Sequence, residues 1–295
     1  MTAPRNAARA VRLAAMAVYL TASLSTALPA CAATGEGPFL PYVRERGASK
    51  YLEWLVKDPL NLAARPAAWS AAEWGRAAAG SAVTVGLIPL DGRARDFVQD
   101  RRSRTVIDLV DPIRDRFIGS RLTLYGAGLF VAGLAFRDER LSDSGFLAAE
   151  SAFWAVRASA VIKSLTHRER PPTANGPYDF QGPRGSTVGG SSSFVSGDAI
   201  GAFAFAASVS EVYPYRSVRW PLYALAGAVG VHRLEHDAHW LSDVVGAAML
   251  GRAIGKGMVH LHARSRAVRP EILPFVSGSA VGVRIALVSS ESAPR

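Results

Sequence analysis

The chain has 295 residues, 49% of them hydrophobic, with a mean hydropathy of +0.13 and a formal charge of +10. This length holds one well-buried domain or two small ones, and the hydropathy is high for a soluble protein but low for a polytopic membrane protein. The charge is nearly all arginine, with lysine only at Lys50, Lys57, Lys163 and Lys256, and no basic run is interleaved with aromatics, which argues against nucleic acid and for an anionic substrate or an anionic membrane surface.

Residues 1–32 read as an export signal. Arg5, Arg9 and Arg12 precede an apolar run at 13–28, and Ala30-Cys31-Ala32 offers small residues to a peptidase. The run falls short of the roughly 20 residues that span a bilayer. Leu28-Pro29-Ala30-Cys31 is similar to a bacterial lipobox, which makes Cys31 a candidate lipid anchor. Cys31 is the only cysteine, so an intramolecular disulfide is excluded. The expected location is the periplasm or cell envelope.

Residues 33–65 read as a linker and N-terminal extension, Gly/Pro-rich at 34–41 and helical at 51–56. A helical domain is expected over 66–268. Its first helix, 66–90, is closed by Pro89 and an Asp91-Gly92 turn. A charged surface helix follows at 96–108. The stretch 120–136, with Arg121 as its single charge, is the most membrane-like after the signal and equally suits a buried core helix. The helix 146–166 stops before Pro171-Pro172. A Gly/Ser/Pro loop spans 175–193, followed by helices at 198–213, 221–231 and 240–258. From Pro270 the character changes: 272–277 and 280–288 are β-branched and alternating around Gly278, which predicts a hairpin within a tail at 269–295. The pattern predicts an all-α domain with a short C-terminal hairpin, soluble rather than six-span.

Three stretches carry chemistry. In the first, Lys163 is followed by six residues and then Arg170-Pro171. The proline breaks the helix, Arg170 can turn back, and the two cations can hold one tetrahedral anion, arginine by its fork and lysine as a point charge. Alone, two solvated charges at a helix end explain the pair better. In the second, Ser196-Gly197-Asp198 opens an apolar helix. Ser196 is a good N-cap, the free N–H groups of the first turn attract anions, and Gly197 lets the backbone approach closely. Alone, a capped helix with Asp198 on its dipole suffices. In the third, Arg233 is followed by five residues, His239, three more and Asp243. On a helix opened by His239, Asp243 shares its face. A carboxylate there fixes the imidazole tautomer and leaves the other nitrogen free to attack an electrophile. Reading His232, His236 and His239 as zinc ligands is weaker, because the glutamate of His-Glu-x-x-His is missing and Arg233 lies beside them.

Together these stretches resemble the type 2 phosphatidic acid phosphatase superfamily, which includes the bacterial class A acid phosphatases and the vanadium haloperoxidases. Its pattern is Lys-x6-Arg-Pro, then Pro-Ser-Gly-His, then Ser-Arg-x5-His-x3-Asp. The first block matches as Lys163 to Pro171 and the third as Arg233, His239 and Asp243, with His232 where serine is usual. In the middle block Val195 replaces the proline and Asp198 the histidine. The resemblance implies a helical bundle of the acid phosphatase/vanadium haloperoxidase type. It implies His239 as the nucleophile that forms a phosphohistidine and Asp243 as its orienting partner. Lys163, Arg170, Arg233, Ser196 and the Gly197 N–H are then the phosphate-binding groups, with no metal and no cofactor, although vanadate can occupy the phosphate site. The implied protein is an envelope phosphatase acting on phosphomonoesters or diphosphates, lipid-linked ones included; its oligomeric state is left open.

Asp198 stands where the family protonates the leaving oxygen by histidine. Aspartate donates only when protonated, which requires a raised pKa. Cations and a helix N-terminus push that pKa down, while a phosphate dianion pushes it up. An acid optimum, or a preference for leaving groups that need little proton help, follows. His236 and His167 are the other candidate proton sources. The alternatives are a phosphate- or lipid-headgroup-binding protein with little turnover, and a vanadate-dependent peroxidase, for which the chain is short.

Overall fold

Ten-residue to 28-residue helices make up the domain, and the computed structural model describes residues 48–183, 192–264, 269–277 and 280–288. The export signal, Cys31, the 34–41 linker and the 184–191 part of the Gly/Ser loop lie outside the described residues. In chain order the helices are α1 (Ala48–Ala64), α2 (Ala71–Leu87), α3 (Asp91–Asp100), α4 (Arg104–Arg116) and α5 (Gly119–Phe136). They continue as α6 (Glu139–Thr166), α7 (Gly197–Val212), α8 (Arg216–Glu235) and α9 (Leu241–Arg264). The core is all-α, as the patterning predicts. After α9, strands β1 (Arg269–Ser277) and β2 (Ala280–Val288) pair antiparallel, with Arg269 opposite Val288.

Several boundaries differ from the sequence reading, each for a local reason. The single helix expected over 66–90 is divided, because Ser70 caps α2. The Ser70 hydroxyl accepts the Glu73 N–H at 3.3 Å, and the Glu73 carboxylate accepts the Ser70 N–H at 2.8 Å. This reciprocal box sets a helix start that the preceding turn cannot run through. Asp91-Gly92 is not a closing turn: it opens α3, and Asp91 is 0% exposed. The surface helix expected at 96–108 is two helices, α3 ending at Asp100 and α4 running on to Arg116 past Pro112. Helix α6 starts at Glu139 rather than near residue 146, because Asp138 accepts the Leu141 N–H at 3.0 Å. Helix α8 starts at Arg216 with Pro221 inside it. Part of the stretch read as linker is α1, whose Leu62 packs beside Gly257 of α9.

Helix α7 is buried along nearly its whole length, which is why its sequence is apolar all round. Helix α9 lies directly on it. A Cβ at Gly251 would sit 2.4 Å from the Ile200 carbonyl, and one at Gly255 2.2 Å from the Ala204 carbonyl. Only glycine permits that approach. Both pairs advance together along the chain, so α7 and α9 run parallel. Tyr223 packs near Phe203 while Arg233 reaches Asp198, so α8 runs opposite to α7. Leu147 clusters with Val212 while Lys163 lies at Gly197, so α6 also runs opposite to α7. At one end of the bundle, therefore, α6 and α8 finish where α7 and α9 begin. Among the described helices α6 is long and apolar enough to cross a bilayer, with 44% of that window buried inside the bundle. The membrane-like stretch 120–136 forms α5, packed on α6.

Candidate active site

His239 sits in the last bend before α9, and Asp243 lies in the first turn of that helix. The Asp243 Oδ2 is 3.5 Å from the imidazole Nδ1. The Ser193 hydroxyl lies between them, 3.3 Å from Nδ1 and hydrogen-bonded to Asp243 Oδ2. The same carboxylate oxygen accepts the Trp240 N–H at 2.9 Å. Nδ1 is thus engaged, and Nε2 is the nitrogen left for a substrate. Burial holds the His239 pKa down to about 4; Asp243 pulls it up, while Lys163 and Arg233 push it lower. The imidazole is neutral at neutral pH, the form a nucleophile requires. Burial alone would raise the Asp243 carboxyl, but His239, Arg168 and Ser193 outweigh it and hold the group below its ordinary value.

A residue passed over as spacing in the first motif anchors this dyad. Arg168 is 0% exposed. Its guanidinium donates to Asp243 Oδ1 at 2.6 Å, to the Ser242 hydroxyl at 2.7 Å and to Asp91 Oδ2 at 2.7 Å. Asp91 in turn accepts the Ser242 N–H at 2.8 Å. The Trp240 indole N–H donates to the Glu169 carbonyl at 3.0 Å, and Phe180 and Trp240 flank the guanidinium. The segment after α6 is therefore tied to the start of α9 and of α3. A buried charge is tolerable only when paired and hydrogen-bonded, and here one cation serves two carboxylates. Burial still raises Asp91 above its ordinary value despite Ser242 and Arg168.

The cations gather at the same helix junction. The Lys163 ammonium lies 3.9 Å from where a Cβ on Gly197 would be. Burial, then the charge of Arg170, pulls its pKa down to about 8; Asp198 and Asp243 oppose the shift and Arg233 adds to it. Burial likewise lowers Arg233, partly offset by Asp198, with Arg114 and Arg170 adding to it. Lys163, Arg170 and Arg233 are thus within electrostatic reach of one another. The Nε atoms of Arg170 and Arg233 and the Ser196 hydroxyl are buried without a protein partner among the described residues. Unsatisfied donors of this kind, beside the free N–H groups of the α7 N-terminus, form a place for an oxyanion. The Ser196 N–H itself goes to the Asp243 carbonyl at 3.3 Å, which sets α7 against α9.

Asp198 stands in this cluster with its side chain 26% exposed. Its Oδ2 is 3.4 Å from Arg233 and 3.6 Å from Arg114 of α4. Arg114 was not anticipated: it lies past the charged surface helix expected at 96–108, in a stretch to which the sequence reading gave no element. The other candidate proton sources lie elsewhere. His236 turns its Nε2 to Asp111 at 2.7 Å, and His167 caps the end of α6. The zinc trio does not converge: His232 and His236 stack together, whereas His239 pairs with Ser193 and Asp243.

Fold and site define an all-α protein with a neutral, buried imidazole beside a cationic helix junction. A family model described as the PAP2 superfamily matches residues 145–267, from α6 through α9. The match supports the resemblance of this segment to the type 2 phosphatidic acid phosphatase superfamily, a family that acts on phosphate esters. Neither the curated proteins nor the solved structures give a significant match.

Proposed function

We propose that the protein is a phosphatase of the cell envelope that hydrolyses phosphomonoesters or diphosphates, lipid-linked ones included, through a phosphohistidine at His239. The observation that carries this reading is a neutral imidazole, fixed by Asp243 through one nitrogen, at the junction where Lys163, Arg170 and Arg233 gather. In the first step His239 Nε2 bonds to phosphorus and the ester P–O bond breaks. The leaving oxygen takes its proton from Asp198. In the second step water bonds to phosphorus as the P–Nε2 bond to His239 breaks, Asp198 takes a proton from that water, and phosphate leaves. Lys163, Arg170, Arg233, the Ser196 hydroxyl and the Gly197 N–H neutralise the oxygens of a loose transition state. No metal takes part in either step, and vanadate, a tetrahedral anion of the same charge class, occupies the same cations.

Aspartate donates only in its protonated form, and Asp198 stands 3.4 Å from Arg233 and 3.6 Å from Arg114. Turnover is therefore expected to rise toward acid pH and to favour diphosphates over alkyl phosphates. The envelope location rests on the basic and apolar start of the chain. A rapid-quench experiment under alkaline work-up tests the mechanism: phosphate should be trapped on the peptide containing His239 and be absent in His239→Ala. The second reading, a phosphate- or headgroup-binding protein with little turnover, draws on the position of Asp198 against two arginines. Phosphate binding without turnover, unchanged in His239→Ala, would favour it.

A further inference from the structure

His232 takes no part in the chemistry above, yet it replaces the serine usual in the third motif. Its ring stacks on that of His236, four residues later at the C-cap of α8, with centroids 4.2 Å apart and 20° between the planes. Both Nε2 atoms converge on Asp111 of α4, at 3.3 Å from His232 and 2.7 Å from His236. The three donor atoms lie within 4.8 Å of one another. We propose that Asp111, His232 and His236 bind one divalent transition-metal ion of the zinc class.

The donor set suits such an ion. Imidazole and carboxylate bind Zn²⁺ at about 2.0–2.2 Å, which places neighbouring donors of a tetrahedral site roughly 3.3 Å apart. The His232–Asp111 separation already meets this, and the Asp111–His236 pair needs to open by roughly half an ångström. Two histidines four apart on a helix present their rings to one face. His232 is buried, and burial, His236, Arg233 and Arg114 together hold it neutral at neutral pH against Asp111. Neutral imidazole is the ligand form. His236 and Asp111 are partly exposed, which gives an ion its entry and leaves room for water as a further ligand. The nearby Arg114 and Arg233 weaken the attraction for a cation, and the His232 Nδ1 has no protein partner among the described residues to support it. Micromolar rather than tighter binding is therefore expected. A bound ion would clasp α4 to the C-terminal end of α8, next to the arginines that face Asp198.

The test uses untagged, chelator-treated full-length protein titrated with Co²⁺ by visible absorption and with Zn²⁺ by calorimetry. The site predicts one ion per chain, intense cobalt bands typical of low coordination number, their loss on adding zinc, and a raised Tm with zinc. Asp111→Asn and His236→Gln should each weaken binding at least tenfold with an unchanged far-ultraviolet spectrum; the two variants sit on different elements, α4 and the C-cap of α8, so a folding defect in one leaves the other informative. Absence of stoichiometric binding at millimolar metal, or binding that survives both substitutions, overturns the assignment and leaves an ordinary Asp–His hydrogen bond. Metal binding is read without reference to turnover, so its failure leaves the phosphatase reading untouched.

Discussion

Replacing Asp198 by asparagine separates the two effects of this carboxylate. It keeps the shape and removes both the charge and the transferable proton. The carboxylate sits 3.4 Å from Arg233 and 3.6 Å from Arg114, so it competes with any oxyanion for those cations. Partly exposed pairs of this length are worth about 0.2–1 kcal/mol each after screening. Releasing both should strengthen vanadate or phosphate inhibition by about 0.4–2 kcal/mol, a fall in Ki of roughly two- to thirtyfold. Loss of a general acid typically costs about 10²–10⁴-fold in rate. The loss should be large for an alkyl phosphate and small for p-nitrophenyl phosphate, whose leaving group needs little proton help. Steady-state kinetics with both esters and vanadate, at acid and neutral pH, measure all of this. A variant whose Ki is unchanged and whose kcat falls equally on both esters would refute the assignment of Asp198 as acid and competitor.

Arg168→Met leaves Asp91 and Asp243 buried without their shared cation, and such losses cost about 3–5 kcal/mol; urea unfolding should show this, and a loss below about 1 kcal/mol would contradict the network. Lys163, pulled down to about 8, is a cation below that pH and neutral above it. The kcat/KM profile should therefore fall as pH rises through about 8, and the fall should move to higher pH in Lys163→Arg; an identical profile in both would count against Lys163 as a phosphate ligand. Burial, then Asp58, raises Glu150 above its ordinary value of 4.5. The folded carboxyl stays protonated while the unfolded one ionises, so stability is undiminished below about 4.5 and erodes as pH rises toward the folded value. Glu150→Gln should accordingly raise Tm at pH 8 and leave it unchanged at pH 4, and an equal effect at both would contradict this placement.

The helices from α6 to α9 were legible as elements because their apolar runs are long, although the starts of α6 and α8 lie seven and five residues earlier than expected. The residues at fixed spacing were legible for another reason: Lys163 and Arg170 flank a helix end, and His239 lies four positions before Asp243, one turn's reach, although His239 itself sits in the bend before α9. The junction's supporting groups were not. Arg168 finds Asp91 77 positions away and Asp243 75 away, and no local periodicity reports such a pairing. Asp91, beside a glycine, reads as a turn residue until its burial is known. Arg114 and Asp111 lie just past the charged surface helix expected at 96–108, in a stretch with no motif of its own, although one of its faces meets Asp198 and the two histidines. The Ser70-Glu73 capping box was present in the sequence, and its spacing was the signal for the α2 start.

The most direct test is a crystal structure with orthovanadate. Phosphoryl transfer at this junction predicts vanadium bonded to His239 Nε2 in trigonal-bipyramidal geometry, its oxygens held by Lys163, Arg170, Arg233 and the Gly197 N–H. Vanadate bound away from His239, or those cations directed to separate places in the liganded protein, would contradict it.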